Sequence, residues 1–333
     1  MRGTLWKRSV SAFRLHGAER CLALADDLAN GTYRPREPIR FWVTRPKRRR
    51  CCSIGIRDRV YQRSLNDNVV YPAMARSLIP ENCACQEGKG TDRARDLLAL
   101  HLRRFHAHHG TDGWALLMDI KGYYPNMRHD VALEGFERRL DPEAYSHVER
   151  ILSSQYSGDV GFEAGSQLVQ IAGVSALDGL DHYVKERLGM RHYIRYMDDM
   201  VVVCESRERL EEVREACAAW LAERGMALNR QKTHIQPVAR RIPWLGFTFE
   251  LRPTGYVLRR VKPSKARDIR RRLARIAKAV DAGRLELGKA DEMAANITNY
   301  LRRNCSGRGA PRKAEKHWQT LTEGARHGSQ QGR

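Results

Sequence analysis

Three acidic residues stand where acids need a reason. Asp119 closes the apolar run Trp114-Ala115-Leu116-Leu117-Met118, and Asp198-Asp199 follows Tyr196-Met197 between the β-rich runs His192-Tyr193-Ile194-Arg195-Tyr196 and Met200-Val201-Val202-Val203-Cys204. A continuous apolar run ending in an acid predicts a buried strand with the carboxylate at its end. Two acids between strand-like arms predict a hairpin turn, and an isolated Asp-Asp pair is ordinarily no more than that. Set beside a strand-terminal carboxylate, the pair becomes an all-oxygen donor set able to hold two Mg²⁺ ions. Such a pair of metals serves nucleotidyl transfer, one activating the attacking 3′-hydroxyl and the other binding the triphosphate and the leaving pyrophosphate.

The elements that must carry these acids are legible from periodicity. Apolar positions at helical spacing (Trp6, Val10, Phe13, Leu15, then Cys21, Leu22, Leu24, Leu28) precede the breaker Asn30-Gly31 and predict a helical opening segment. A short strand is expected over Ile39 to Thr44, followed by the basic run Arg45-Pro46-Lys47-Arg48-Arg49-Arg50. A helix follows Arg57-Asp58-Arg59, and Thr91 or Asp92 caps another running to about His109. Beyond the first acid, helical patterns occupy about 129–140, 143–156 and 165–188, and a further helix spans about 206–224 before Gly225. Short strands are expected near 226–228, 233–236, 244–250 and 255–258. From Lys262 the chain becomes helical and basic, with the stripe Ile269, Leu273, Ile276, Val280 and a second helix from about Glu286 to Arg303; residues 306–333 read as a mobile basic tail.

Composition narrows the partners. The 333 residues hold 60 Lys plus Arg against 39 Asp plus Glu, a formal net charge of +21, which favours a polyanionic partner over a neutral metabolite. With 42% hydrophobic residues there is material for more than one core, and disorder is excluded for most of the chain. No apolar run approaches the roughly 20 residues that cross a bilayer, and the opening residues lack a signal-peptide segment, so no membrane association and a cytoplasmic location are expected. Eight cysteines without a CxxC pair argue against a disulfide scaffold or a zinc site. His101, His106, His108 and His109 read as a solvated helix end complementing the dipole.

Tyr196-Met197-Asp198-Asp199 resembles the YxDD signature of reverse transcriptases, and the surrounding blocks occur in that family's order. Pro46-Lys47-Arg48-Arg49 with Arg57-Asp58-Arg59 resembles the fingers block of prokaryotic members, and Gly88-Lys89-Gly90-Thr91 the second fingers block. Asp119-Ile120-Lys121-Gly122-Tyr123-Tyr124 is similar to the first palm block; Leu228-Asn229-x-x-Lys232-Thr233 and Trp244-Leu245-Gly246-Phe247 are similar to the last ones. The resemblance covers roughly residues 30 to 260 and implies an α+β right-hand polymerase fold: an N-terminal helical segment and fingers over 1–110, a palm with a mainly antiparallel sheet over 111–260 with some fingers elements, a helical thumb over 261–305, and the tail.

Carried over residue by residue, the resemblance implies that Asp119, Asp198 and Asp199 bind two Mg²⁺ ions, with Mn²⁺ as a substitute, and that Ile120 adds a backbone carbonyl. Tyr124 falls where the family has an aromatic steric gate, whose ring would clash with a ribose 2′-hydroxyl and favour dNTPs; Tyr123 reads as core. Lys47 and Arg49 would hold the triphosphate, and Lys232 sits where the family has a lysine near the nucleotide. Where many members read QGxxxSP, this chain has Ala164-Gly165-Ser166-Gln167-Leu168-Val169-Gln170, with Gln170 facing the nucleotide in place of Pro; a register beginning at Gly161 is the alternative. That form is similar to diversity-generating, phage-associated and defence-associated reverse transcriptases. Gly225-Met226-Ala227-Leu228-Asn229 replaces the VTG element of retrons, and the short segment after the thumb leaves no room for intron maturase regions. The implied activity is cDNA synthesis from an RNA template, a dedicated noncoding RNA, in a retroelement or antiphage system. The partners would be that RNA, an RNA–DNA duplex and an accessory protein, with oligomeric state open. Untemplated or protein-primed synthesis by the same site, or a non-catalytic RNA-binding scaffold, are the alternatives.

Overall fold

The computed structural model describes residues 7–44 and 48–331, with side chains to 325. In chain order the elements are α1 (Arg8–Leu15), α2 (Gly17–Ala29), β1 (Ile39–Val43), β2 (Arg49–Ser53), α3 (Ile56–Leu65) and, after a π-helical turn Asn66–Val70, α4 (Tyr71–Ala75). They continue with α5 (Thr91–His109), β3 (Trp114–Asp119), α6 (Tyr123–Asn126), α7 (His129–Glu137), α8 (Pro142–Gln155), α9 (Gln167–Ser175), α10 (Asp178–His182) and a second π-helical turn, Tyr183–Arg187. The hairpin β4 (His192–Tyr196) and β5 (Asp199–Cys204) leads into α11 (Arg207–Ala222), β6 (His234–Pro237), β7 (Ile242–Trp244), β8 (Phe247–Leu251) and β9 (Val257–Val261). Helices α12 (Pro263–Asp281), α13 (Leu287–Asn304) and α14 (Gly309–Gln331) complete the chain.

Strands β4-β5-β3-β6 form one sheet in that order, β7-β8-β9 an antiparallel second, and β1-β2 an antiparallel ribbon with Trp42 opposite Arg50. The chain divides into two compact units. The first holds the chain to Gly90, Leu117–Val201 and Glu211–His234; the second holds Thr91–Leu116, Val202–Leu210 and Ile235–Arg333. The carboxyl end of β3 and the amino end of β5, which carry the acids, both belong to the first.

The first unit is organised around α9. Leu168, Val169, Ile171, Ala172, Gly173, Val174 and Ser175 are all buried, as expected of a helix apolar nearly all round, and α3, α4, α7 and α8 pack on it. Helix α8 starts where Asp141 accepts the Ala144 N–H at 2.9 Å, with Pro142 in the first turn. In the second unit, α5 buries Ala94, Leu97, Leu98, Leu102 and Phe105 and packs on β8 and β9. Its buried Arg95 places its guanidinium 4.7 Å above the Phe247 ring and donates to Asn304. The segment expected to belong with the fingers therefore shares a core with the last small sheet.

One expectation about the fold needs correction. Residues 309–331 form a helix rather than a mobile tail: Ala314 and Trp318 are buried in one cluster with Leu273, Ile276, Ala290, Ala294, Ile297 and Leu301, and the Trp318 indole N–H donates to Asp291 at 2.7 Å. The apolar positions of this stretch are too sparse to predict an isolated helix, and packing supplies what propensity does not. The last two residues of the basic run, Arg49 and Arg50, begin β2 and pair with Val43 and Trp42 of β1. Among the described residues, no helix is long and apolar enough to cross a membrane.

Candidate active site

Asp119 is buried at the end of β3, and two side chains from one downstream turn hold its carboxylate. Asn229 Nδ2 donates to Oδ1 at 3.0 Å and Lys232 Nζ to Oδ2 at 2.5 Å. The backbone brings them there. Lys121 N–H donates to the Ala227 carbonyl at 2.8 Å, Ile120 bridges Leu228, and Asn229 N–H donates to the Asp119 carbonyl at 2.7 Å. The strand expected at 226–228 is thus reduced to a single bridge. The Asn229 carbonyl then accepts from Lys232 N–H and Thr233 N–H, turning the chain so that Lys232 faces the acid.

The β4–β5 hairpin has Met197 and Asp198 as its two-residue turn, and Met197 adopts φ +56°, the left-handed region that short hairpin loops require and that side chains other than Gly, Asn and Asp rarely enter. Arg195 braces it: Nη1 donates to the Met197 carbonyl at 3.0 Å and Nη2 to the Val174 carbonyl at 2.9 Å. The guanidinium is paired with Asp181, both side chains being fully buried. Burial pushes the Asp198 pKa up and the charge of Asp119 adds to the rise, opposed by its own backbone hydrogen bond, Lys232 and Arg49. Burial alone would lower the Lys232 pKa, but its hydrogen bond to Asp119 and the charges of Asp119, Asp199 and Asp198 raise it.

Asp119, Ile120, Tyr124, Asp198, Asp199, Lys232 and Arg49 all line one cleft of about 1480 Å³, within the first unit. Gly122, at φ +55°, turns the chain after β3 so that α6 can follow, and α6 brings the buried Tyr123 and the partly buried Tyr124 to the cleft wall. The far wall is β1–β2 with the segment after α8. Glu163 pairs with Arg40 at 3.0 Å and Arg50 at 2.8 Å, and Cys52 N–H donates to the Ala164 carbonyl at 3.0 Å. Gly165 is obligatory there, since a Cβ would lie 2.0 Å from the Cys52 carbonyl oxygen. The Arg48 guanidinium stacks on Trp42 at 4.5 Å.

Gln170 is not among the residues lining this cleft: it is exposed on α9, whose neighbouring positions Val169 and Ile171 turn into the core. Lys47 lies outside the described residues. Asn229, Arg195, Asp181 and Glu163 were not singled out as site residues from the sequence. Asn229 could have been, as a side-chain amide four residues past Gly225 in the same block as Lys232; the others depend on partners far away in the chain.

The donor chemistry of the acidic wall suits a hard divalent cation, being oxygen-based with neither His nor Cys among the cleft-lining residues described. An ammonium already sits against Asp119 as its cationic partner. Among the described residues no group of three or more acid, His or Cys side chains is gathered closely enough to hold a metal ion, and Lys232 occupies Oδ2 of Asp119.

The reverse transcriptase (RNA-dependent DNA polymerase) family profile matches residues 46–249, which contain all three acids. Among solved structures, apo telomerase from Candida tropicalis truncated from its C-terminal domain superposes with a TM-score of 0.50 at 11% identity, covering 73% of this chain and 60% of that one. Telomerase from Candida albicans in complex with a TWJ fragment of telomeric RNA gives 0.48 at 10% identity, covering 87% and 56%. The chain therefore spans less than two thirds of either telomerase. No curated protein sequence matches it. The likeness at these identities is one of fold, the α+β right-hand polymerase fold expected from the sequence. The family match covers well over half of the residues, and the chain belongs to the reverse transcriptase (RNA-dependent DNA polymerase) family.

Proposed function

We propose that this protein copies an RNA template into DNA by two-metal nucleotidyl transfer in the cleft bounded by Asp119, Asp198, Asp199 and the β1–β2 ribbon. The observation that carries the reading is the meeting, in one cleft, of a strand-end acid and a turn-borne pair separated by about 80 residues of sequence, with Arg49 and Lys232 on the same cavity. Mg²⁺, or Mn²⁺ in its place, supplies when bound the Lewis acidity that activates the 3′-hydroxyl and stabilises the leaving pyrophosphate. Asp119, Asp198, Asp199 and the Ile120 carbonyl are the groups that would hold it. Arg49, joined by Lys47, neutralises the triphosphate of the incoming dNTP, and Lys232 moves from Asp119 towards the same phosphates once the acid has another counter-charge. The Tyr124 ring excludes the ribose 2′-hydroxyl. Gln170 is left out of this assignment because of its exposure.

In the second unit, Arg267, Arg271, Arg275 and Lys278 recur at helical spacing on α12, a row suited to the backbone of a template–primer duplex. The basic composition and the form of the 164–170 block favour a prokaryotic enzyme of the diversity-generating, phage-associated or defence-associated kind, with a dedicated noncoding RNA as template. The test is primer extension on RNA, on DNA and without template, with dNTPs and with rNTPs, comparing the wild type with Asp198→Ala/Asp199→Ala. Synthesis on RNA with dNTPs, lost in the double variant, is expected. Template-free synthesis alone would point to untemplated or protein-primed activity, and synthesis retained by the double variant would refute the mechanism.

A further inference from the structure

Helix α9 carries a buried glycine in its last turn, where glycine costs a helix up to about 1 kcal/mol relative to alanine. Its backbone does not explain the choice, because Gly173 is not among the glycines with positive φ. Its neighbour does. A Cβ on Gly173 would lie 2.8 Å from the Tyr124 hydroxyl oxygen and 2.9 Å from Cε1, both closer than real contacts come, and a tight 3.1 Å from Cζ. The phenol is therefore seated directly on the bare α-carbon.

Nothing polar among the described residues holds Tyr124 in this seat. Its buried hydroxyl has no hydrogen-bond partner there, whereas the adjacent Tyr123 hydroxyl donates to the carbonyl of the same Gly173. The two rings lie 5.4 Å apart between centroids, so Tyr123, fixed by that hydrogen bond and by burial, closes one side of the seat. Both tyrosines line the cleft together with Asp119 and Asp198. With the helix behind it and a core tyrosine beside it, the ring that a Cβ on Gly173 would displace is one that lines the cleft.

We propose that Gly173 is a specificity-determining positioning residue: the missing side chain sets how far the Tyr124 ring projects into the cleft, and so how much room the sugar of an incoming nucleoside triphosphate is given. The proposal rests on the reading of this cleft as a polymerase site, and deepens it by tracing sugar discrimination to a residue that does not itself touch the nucleotide. An added methyl group pushes the ring outward and crowds even a deoxyribose. A shift of the order of 1 Å in an active site costs up to about 100-fold, and a graded loss is expected for a ring that can tilt.

The test is a double-mutant cycle of Gly173→Ala with Tyr124→Ala, read in two ways on the full-length protein. In steady-state extension, Gly173→Ala is expected to raise the KM for dNTPs about tenfold with a much smaller change in kcat. In the Tyr124→Ala background, which admits rNTPs, the same substitution is expected to change the dNTP KM by less than about twofold. Equal effects of Gly173→Ala in both backgrounds, or an unchanged dNTP KM in the single variant, would overturn the proposal. Thermal melting needs no activity: Gly173→Ala should lower the Tm in the wild-type background and raise it in the Tyr124→Ala background, where the methyl group fills vacated space and the helix gains propensity. If the wild type makes no DNA, the polymerase reading fails by itself, while additive melting shifts would show that Gly173 does not seat Tyr124 at all.

Discussion

Arg195 and Asp181 form an ion pair with both side chains fully excluded from solvent, Nε to Oδ1 at 2.7 Å and Nη2 to Oδ2 at 2.6 Å. Tyr193 adds a hydrogen bond to Oδ1 at 2.7 Å, and the remaining donors of the guanidinium reach the Val174 and Met197 carbonyls. A buried charge pair of this kind seldom outperforms apolar residues of equal volume in stability, but losing one partner strands the other. Asp181→Asn should therefore cost about 3–5 kcal/mol in denaturant unfolding. Replacing both, as Asp181→Leu/Arg195→Met, should recover only part of that stability, since the buried Tyr193 hydroxyl and the Val174 carbonyl are then unpaired, and should leave DNA synthesis impaired, because the left-handed Met197 carbonyl has lost its donor. Synthesis returning in step with stability would show that the acidic turn needs no such brace.

Lys232 occupies one oxygen of Asp119 and is itself half exposed. A cation held by Asp119, as proposed, would compete with it for that oxygen. Lys232→Ala should lower the Mg²⁺ concentration giving half-maximal synthesis several-fold and also lower the maximal rate, since the ammonium is no longer available to the phosphates. A magnesium titration of both proteins checks this, and an unchanged midpoint would mean that the contact does not compete.

His182 bonds Glu186 through Nδ1 at 2.6 Å and the Ser77 carbonyl through Nε2 at 2.9 Å, with Asp178 3.6 Å away. The Glu186 hydrogen bond, then the Ser77 carbonyl, raise its pKa above 6.5, burial opposing and the charges of Asp178 and Glu186 adding. The charged imidazolium is thus favoured by folding. Its contribution is fully present below the unfolded pKa and is lost as pH rises through the folded one. The stability difference between wild type and His182→Gln should be a few tenths of a kcal/mol at about pH 6, given the exposure of this pair, and should vanish by about pH 9. Urea unfolding at the two pH values measures it, and a difference that grows with pH would have the wrong sign.

Trp318 is the largest side chain that α14 contributes to its core with α12 and α13. Trp318→Ala should cost about 3–5 kcal/mol in the second unit. Limited proteolysis should then cleave the variant within residues 309–331 at protease levels that leave the wild type intact. Equal resistance would show that this helix adds nothing to the bundle.

Much of this molecule is written locally. An apolar run closed by Asp119, strand-like arms around Met197-Asp198 and the stripe from Ile269 to Val280 each declare an element through its local pattern, and the acids and Tyr124 stand in recognisable blocks. The helix at 309–331 was not legible, because Ala314 and Trp318 acquire meaning only against Leu273 and Ile297. Neither were the contacts that tune the site. Lys232 against Asp119, Arg195 against Asp181 and the bare α-carbon of Gly173 under Tyr124 join residues from 14 to 113 positions apart, and no local pattern relates them. Side-chain periodicity is a property of neighbours along the chain, so sequence alone determined the elements and the kinds of group they carry. Which oxygen is shielded, which turn is braced and how far a ring projects are set by distances across the core, and those exist only once the chain has folded.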